Sequence, residues 1–381
     1  MSPDMNAEER INTTINLETP DRVPIYMSLS FFAARNAKIN TEDFMDNKDK
    51  YLAAMDKVYN DFGGWDSTWA TGGLDYYNTA FVFGMKMRYP GRDLPSNAIF
   101  QLVEAPVMTE EDYDTILKKG WPAFTTEIMT RIRPDIFYGP EARAKVKEAR
   151  INWASQLNKD IGTWQQKGVV PLVGGFAGNP FSTLSLMRSI EDFIVDLYRY
   201  PDKVLATLDA ISQRVIETGL VQVKASGIKR IFFADSRSCS GLLSLKFFEK
   251  FSFPFMKKII SAFAQEDIIS VLHFDQDWTR NLPYFLELPP KKCILQLDGY
   301  TDIFKAKEVL GSHMCILGDV PASLLALGKP QEVDDYVKKL IEVVGKDGGF
   351  ILGAGCEVPI NAKEENLRAM IEADRRYGPY T

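Results

Sequence analysis

The chain has 381 residues, of which 45% are hydrophobic and 25% are charged, as in ordinary globular proteins. Its net charge of -6 argues against a surface that binds nucleic acid or anionic membranes, because both require a basic face. No signal peptide opens the chain and no stretch is apolar for long enough to span a bilayer, so we expect a cytoplasmic protein. The four cysteines are scattered, which favours free thiols or metal ligands over disulfides.

The first 83 residues predict helices and two short strands. Asn6 is placed to cap a helix whose first turn is acidic. A short strand is predicted within residues 24–28. A helix is predicted over residues 48–62, where apolar side chains recur at helical spacing. After two glycines, residues 65–71 predict a second, weaker strand. Residues 84–168 break this rhythm, and we interpret them as an inserted region that caps one end of the fold.

From residue 171 onward the pattern is regular, with apolar segments separated for the most part by helical ones. The apolar segments are residues 171–178, 228–235, 268–275, 292–299, 313–320 and 348–355. Together with the two N-terminal strands, they make eight alternating strand and helix units. This count predicts one α/β domain spanning residues 1–381, a single (β/α)8 TIM barrel. A doubly wound sheet would also alternate, but no GxGxxG motif follows the first strand.

Three potential metal ligands stand at predicted strand ends. His273 and Asp275 are two residues apart at the end of an apolar strand, so their side chains point to the same face. Cys356 follows the last predicted strand, and a barrel would bring it to the same rim. Nitrogen, oxygen and sulfur donors are the ligands of catalytic zinc sites. The alternatives are a polar cluster with an inert cysteine, and Asp277 as ligand in place of Asp275.

Two further carboxylates are catalytic candidates. Asp235 ends the fourth predicted strand, where it could orient His273 or contact substrate, or instead cap a turn. Glu357 directly follows Cys356 and could act as a base close to the metal, or be solvated.

Aromatic residues cluster near the ends of the first two strands. They could line a pocket for an aromatic substrate or a corrinoid ring, or pack as ordinary core. Arg35 could contact an anion there, or lie on the surface. The aromatic candidates are Phe31, Phe32, Trp65, Trp69, Tyr76 and Tyr77.

Residues 348–373, GGFILGAGCEVPINAKEENLRAMIEA, resemble the uroporphyrinogen decarboxylase superfamily. The similarity is greatest to its cobamide-dependent methyltransferase branch, whose members end in a similar glycine-cysteine-proline loop and N-L-R-A-M helix. Residues 17–25, 295–311 and 316–320 agree as well. The resemblance covers nearly the whole chain, is weakest over residues 84–168, and implies a (β/α)8 barrel.

The chain departs from that branch at one ligand position. The branch carries H-x-C with a distant cysteine as zinc ligands, whereas this chain has His273, then Asp275 in place of the first cysteine, then Cys356. The exchange leaves the formal charge unchanged but makes the zinc a better Lewis acid toward oxygen. Decarboxylases of the family have an arginine-rich loop after the first strand. The single Arg35 in this loop argues against decarboxylation of a polycarboxylate.

The resemblance therefore implies a zinc-dependent methyltransferase. It would transfer a methyl group from a methyl ether, with an aromatic ether favoured, to the cob(I)amide of a separate corrinoid protein. Zinc would stabilise the oxygen as the methyl group leaves. No segment resembles a corrinoid-binding module, so the expected partners are a corrinoid protein and a small methylated substrate, and a homodimer is compatible with the sequence. The alternatives are methyl transfer from a methyl-corrinoid protein to a thiol such as coenzyme M, and a non-catalytic barrel that binds a corrinoid or tetrapyrrole.

Overall fold

The computed structural model describes residues 4–79 and 84–380. Its first helix, α1, spans Ala7–Ile15 and begins with a capping box. The Asn6 side chain accepts a hydrogen bond from the Glu9 backbone N–H, and the Glu9 carboxylate accepts one from the Asn6 N–H. Two backbone donors that a helix start leaves free are thus satisfied, which confirms the predicted cap.

Helices and short parallel strands alternate along most of the described chain. The further helices are α2 (Ser30–Asn36), α3 (Thr41–Asp46), α4 (Lys48–Phe62), α5 (Asp112–Lys119), α6 (Trp121–Ile132), α7 (Ala142–Gln166), α8 (Pro180–Arg188), α9 (Ile190–Arg199), α10 (Pro201–Ser226), α11 (Leu245–Phe247), α12 (Phe253–Gln265), α13 (Ile303–Leu310), α14 (Ala322–Leu327), α15 (Pro330–Val343) and α16 (Glu364–Tyr377). A π-helical turn, Phe248–Ser252, joins α11 to α12, and Leu282–Glu287 forms a 3-10 helix. The strands are β1 (Tyr26–Met27), β2 (Ser67–Thr68), β3 (Lys86–Arg88), β4 (Gln101–Val103), β5 (Val170–Pro171), β6 (Phe176–Gly178), β7 (Arg230–Asp235), β8 (Ile269–Phe274), β9 (Cys293–Leu297), β10 (Cys315–Val320) and β11 (Phe350–Ala354).

Two parallel sheets form the centre of the molecule. The larger has six strands in the order β11-β10-β9-β8-β7-β6, and the smaller has three in the order β1-β2-β5. Strands β9, β10 and β11 are buried along their whole length, as expected of parallel strands covered by helices on the outside. The predicted α/β fold with parallel strands is confirmed.

Backbone hydrogen bonds join the two sheets at both edges. At one edge, the Leu352 N–H of β11 donates to the Pro24 carbonyl just before β1. At the other edge, the segment that contains β5 and β6 bonds to both sheets. The Leu172 N–H donates to the Thr68 carbonyl of the small sheet, and the Gly174 N–H donates to the Arg230 carbonyl of the large sheet. The predicted third strand is interrupted at Gly174, where the backbone passes so close to Ile228 that a Cβ atom would not fit. Closure into one eight-stranded barrel stays a prediction.

A separate apolar cluster combines residues of both sheets with residues of α1. Helix α1 contributes Ile11 and Ile15, and residues of β1, β8, β9, β10 and β11 meet them there. On β8, Val271 belongs to this cluster, and residues two positions apart on a strand share a face. His273 therefore extends from the same face of β8, one step closer to the C-terminal ends of the strands.

Residues 84–168 form the antiparallel β3–β4 hairpin followed by helices α5, α6 and α7, and their role as an inserted region that caps the fold stays a prediction. Helix α7 packs its buried Trp164 against Trp65, which follows α4. Within residues 4–79 and 84–380, we find no helix of the length and apolarity that crossing a membrane requires.

Candidate metal centre

His273, Asp275 and Cys356 converge at the C-terminal ends of the strands. Each offers one ligand atom, and these three atoms lie within 4.8 Å of one another. The Nε2 atom of His273 lies 3.2 Å from the Asp275 Oδ1 and 3.6 Å from the Cys356 Sγ. Tetrahedral zinc with ordinary bond lengths separates such N–O and N–S pairs by about 3.4 and about 3.6 Å. The donor set and its spacing therefore fit a zinc ion.

The electrostatics of the cluster favour positive charge at the Nε2 atom of His273. Burial by itself lowers the pKa of His273, but hydrogen bonds and charge interactions with Asp275 and Cys356 outweigh burial and raise the pKa well above its ordinary value. The same arrangement that holds a proton on the imidazole would attract a metal cation to the same point.

An aromatic wall holds the imidazole ring from one side. Phe232 on the neighbouring strand β7 lies with its ring centroid 5.1 Å from that of His273. The indole of Trp69, which follows β2, stacks on Phe232 at 5.2 Å with an interplanar angle of 15°. Contacts of this geometry restrict ring rotation, so the wall limits the directions in which Nε2 can point.

Glu357 and Ser30 form a polar pair beside the cluster. The Ser30 hydroxyl, in the first turn of α2, donates to the Glu357 Oε1 over 2.7 Å. Burial raises the pKa of Glu357 against the opposing effects of Ser30 and His273. Glu357 is thus close to the metal ligands, and a catalytic role for it stays a prediction.

Asp235 lies elsewhere, and the expected contact with His273 is corrected. Its carboxylate is buried and accepts hydrogen bonds from Asn179, Ser182 and Ser238, as well as from two backbone N–H groups of the following turn. In β7 the residue aligned with His273 is Ala234, so Asp235 points to the opposite face. Its contacts instead fix the loop after β7 to the start of α8.

Arg35 is exposed at the end of α2, and its expected anion contact stays a prediction. The Arg35 Nη1 atom donates to the Ile360 and Ala362 carbonyls, over 2.8 and 2.7 Å. Both carbonyls belong to the loop that follows Cys356. The guanidinium therefore holds this loop against α2.

The six aromatic candidates divide between the site and the surrounding core. Trp69 contacts the aromatic wall, and together with Phe31 and Ser30 it lines a cavity of about 10 Å³, roughly the size of one water molecule. Neighbouring aromatic or charged side chains cover three of the other four rings, and the fourth ring is exposed. Phe32 packs on Phe62, Trp65 on Tyr59 and Trp164, Tyr76 lies between the guanidinium groups of Arg92 and Arg133, and Tyr77 is exposed.

A much larger cavity lies at the opposite end of the strands. Its volume is about 890 Å³, and residues of α1 line it together with Arg230 at the start of β7. Parallel α/β folds bind their ligands beyond the carboxyl ends of the strands. Its position at the carboxyl ends of the strands therefore favours the His273 cluster as the functional site, although the cavity at the other end is larger.

Four residues next to the cluster were not predicted from the sequence: Ser30, Phe232, Tyr26 and Gln296. Of these, Gln296 has a recognisable signal in the sequence. Gln296 is the only polar residue in the strand CILQL, and it is 2% exposed. A polar side chain inside an apolar strand usually has a specific partner.

Comparison with known proteins places the chain among URO-D relatives. Residues 158–377 match the family model "Uroporphyrinogen decarboxylase (URO-D)". The chain is 26% identical to the methylcobamide:CoM methyltransferase MtbA of Methanosarcina acetivorans, over 55% of this chain and 59% of that protein. It is 25% identical to the uroporphyrinogen decarboxylase of Aliivibrio salmonicida, over 66% and 70%. With a methylated-thiol–coenzyme M methyltransferase of Methanosarcina mazei the identity is 26%, over 54% and 53%.

The similarity to the two coenzyme M methyltransferases thus extends over little more than half of their lengths. Among solved structures, a methyltransferase from Methanosarcina mazei superposes with a TM-score of 0.71 at 18% identity, covering 98% of this chain and 99% of that one. At this identity, the likeness shows a shared fold. The match to the family model includes more than half of the residues. The chain belongs to the uroporphyrinogen decarboxylase (URO-D) family.

Proposed function

We propose that the chain is a zinc-dependent methyltransferase that transfers a methyl group from a methyl ether to the cob(I)amide of a separate corrinoid protein. An aromatic ether is the favoured substrate. The observation that carries the proposal is the convergence of His273, Asp275 and Cys356 at spacings that suit tetrahedral zinc. With three protein ligands, such a site leaves a position for substrate.

We also propose that the two parallel sheets form one closed (β/α)8 barrel. The hydrogen bonds that join the sheets at both edges support this, as does the fold shared with a solved methyltransferase. Residues 1–381 would then be one domain, with residues 84–168 as its capping region. Its mouth would be the face on which the corrinoid partner docks.

The ligand set determines which chemistry the site favours. Bound zinc would supply Lewis acidity toward the oxygen of the substrate. Asp275 gives this set one more oxygen donor and one fewer thiolate than the H-x-C pattern, which makes the site harder. Such a site is better suited to withdrawing charge from an ether oxygen than to holding a substrate thiolate.

Neighbouring side chains would position the substrate. Trp69 and Phe232 offer flat apolar faces against which an aromatic ring can stack. Glu357, held by Ser30, would provide a polar contact close to the reacting oxygen. Phe232 also restrains His273, so that the ligand keeps its orientation while substrates exchange.

A second function is methyl transfer from a methyl-corrinoid protein to a thiol. The names of the methyltransferase relatives support it, because each states coenzyme M as a reactant, and MtbA's name also states a methylcobamide. The methylcobamide in MtbA's name equally supports a corrinoid partner for the ether reaction. Asp275 is the feature that favours the ether over the thiol.

The test combines zinc content with two assays. Wild-type protein is expected to bind about one zinc per chain and to demethylate a panel of methoxyarenes with cob(I)alamin. Its activity with methylcobalamin and thiols should be lower. Asp275→Ala and Cys356→Ser should lose zinc and demethylation together.

The matched control is Asp277→Ala, which removes an exposed carboxylate two residues from Asp275. This variant should retain zinc. If Asp277→Ala loses zinc and Asp275→Ala keeps it, Asp277 is the ligand instead of Asp275. Full demethylation by metal-free protein would disprove the mechanism. Higher activity toward thiols would establish the second function, and tight corrinoid binding without turnover would indicate a non-catalytic barrel.

A further inference from the structure

Gln296 lies directly beside His273 on the neighbouring strand. Strands β8 and β9 run parallel, and His273 is aligned with Gln296 in their register. Two residues earlier, Val271 is aligned with Ile294, and both side chains belong to the apolar cluster that combines residues of both sheets. Because the side-chain period of a strand is two, His273 and Gln296 extend from that same face. Adjacent strands lie about 4.8 Å apart, so the two side chains are close neighbours.

The atoms of these side chains that are free to pair are complementary. His273 Nδ1 and Gln296 Oε1 are both buried, and neither has a hydrogen-bond partner among residues 4–79 and 84–380. Leaving one buried polar atom unsatisfied costs about 1–3 kcal/mol, so two such atoms side by side call for an explanation. An imidazole N–H can donate, and an amide oxygen can only accept.

The other end of the glutamine amide is already engaged. The Tyr26 hydroxyl, on β1, is in polar contact with the Gln296 side chain. Tyr26 is itself 3% exposed and belongs to the apolar cluster. If the amide nitrogen of Gln296 faces Tyr26, the amide oxygen is left to accept a hydrogen bond from His273.

Metal binding would decide which imidazole nitrogen carries the proton. The Nε2 atom of His273 is the one that faces Asp275 and Cys356. A histidine that binds a metal through Nε2 carries its proton on Nδ1, and nearly always donates that proton to an acceptor. Removing such an acceptor typically lowers metal affinity 10- to 100-fold.

We infer that Gln296 is a positioning residue for the metal centre: its Oε1 accepts the Nδ1 proton of His273, directly or through one bridging water, and so fixes the imidazole tautomer that binds the ion. This inference rests on the proposed function, because it assumes that His273 is a metal ligand. It adds a residue from a third strand to the ligands on β8 and after β11.

The experiment measures zinc affinity by chelator competition and the imidazole protons by NMR. Gln296→Leu, which keeps the size but not the acceptor, should bind zinc about 10- to 100-fold more weakly. Gln296→Glu retains an acceptor oxygen and should restore affinity to within about threefold of wild type. Ser270→Ala is the matched control, since it removes another buried, unpartnered polar atom from β8 and should leave affinity unchanged.

The chain has only two histidines, so protein labelled with ¹⁵N in histidine gives a simple spectrum. His313 is the internal reference, because its Nε2 is 2.8 Å from the Leu288 carbonyl. It precedes β10, whereas His273 stands near the end of β8, so the two histidines lie at opposite ends of the parallel strands. Zinc-loaded wild type should show a slowly exchanging Nδ1 proton on His273, and the leucine variant should lose it while keeping the His313 signal. Gln296→Met is measured alongside, in case the leucine variant does not fold.

The outcomes separate this inference from the proposed function. A wild-type protein that binds no zinc overturns both. A wild type that binds zinc, with leucine and methionine variants that bind it equally well and keep the His273 proton signal, overturns the inference and leaves the proposed function standing. Lower affinity in these two variants, restored by glutamate, supports it.

Discussion

Asp319 should make the stability of the folded chain fall as pH rises. It ends β10, is 3% exposed, and accepts a hydrogen bond from the Tyr336 hydroxyl on α15 over 2.8 Å. Burial raises the pKa of Asp319 to about 7, with the charges of Asp302 and Asp298 adding to it and Tyr336 opposing it. In the unfolded chain the same carboxyl has a pKa of about 3.9.

The sign follows from the two pKa values. Between pH 4 and 7 the unfolded chain releases a proton that the folded chain keeps, so the free energy of unfolding falls over this range and levels off above it. A difference of about 3 pKa units corresponds to about 4 kcal/mol in total, of which about 3 kcal/mol is lost between pH 5 and 8. Asp319→Asn removes the titration but keeps an oxygen that can accept from Tyr336. Its stability relative to wild type should therefore rise by about 3 kcal/mol from pH 5 to pH 8.

The assay is urea unfolding of both proteins at pH 5, 6, 7 and 8 and constant ionic strength. Asp335→Asn, on the exposed side of α15, controls for the loss of one negative charge. If the difference between wild type and Asp319→Asn does not change with pH, or changes as much for the control variant, the reasoning about the buried carboxyl is refuted.

Three further predictions concern the site and its surroundings. Asp235→Ala should lower the free energy of unfolding by about 3–5 kcal/mol, because it leaves buried hydrogen-bond donors without an acceptor. Urea unfolding at constant pH measures this, and a change below about 1 kcal/mol would contradict it. Trp69→Ala should raise the KM for methoxyarenes about tenfold with zinc content unchanged, since it removes the stack on Phe232; steady-state kinetics and metal analysis check this, and an unchanged KM would argue that the ring binds elsewhere. Asp275→Cys should keep zinc but lose about tenfold or more in ether demethylation relative to thiol methylation, and equal losses in both assays would show that ligand hardness does not select the substrate.

The sequence predicts those features that depend on local patterns. Helix α4 has the predicted bounds, because apolar spacing and the flanking turns are local signals. The positions of His273 and Cys356 at strand ends follow from apolar runs that terminate there. Parallel strands place all such ends on one side of a sheet, so Cys356 could be expected to converge with His273 and Asp275, although it lies 83 positions after His273.

Features that depend on tertiary neighbours could not be predicted in this way. Asp235 stands at a strand end just as His273 does, but its partners lie on and before α8 and in the following turn. Arg35 is satisfied by carbonyls more than three hundred positions away. Trp65 is covered by Trp164 of α7, and the local pattern that predicts a helix does not show where that helix packs.

The loop that carries Cys356 rests on the beginning of the chain. The Val358 N–H donates to the Ser28 carbonyl, and the Ser30 hydroxyl donates to Glu357, 327 positions further on. Just before this loop, Leu352 of β11 forms a parallel bridge with Ile25, next to β1. The complete set of donors therefore depends on contacts between segments more than three hundred positions apart, and a change at Ser28 or Ser30 could displace Cys356 without touching any ligand.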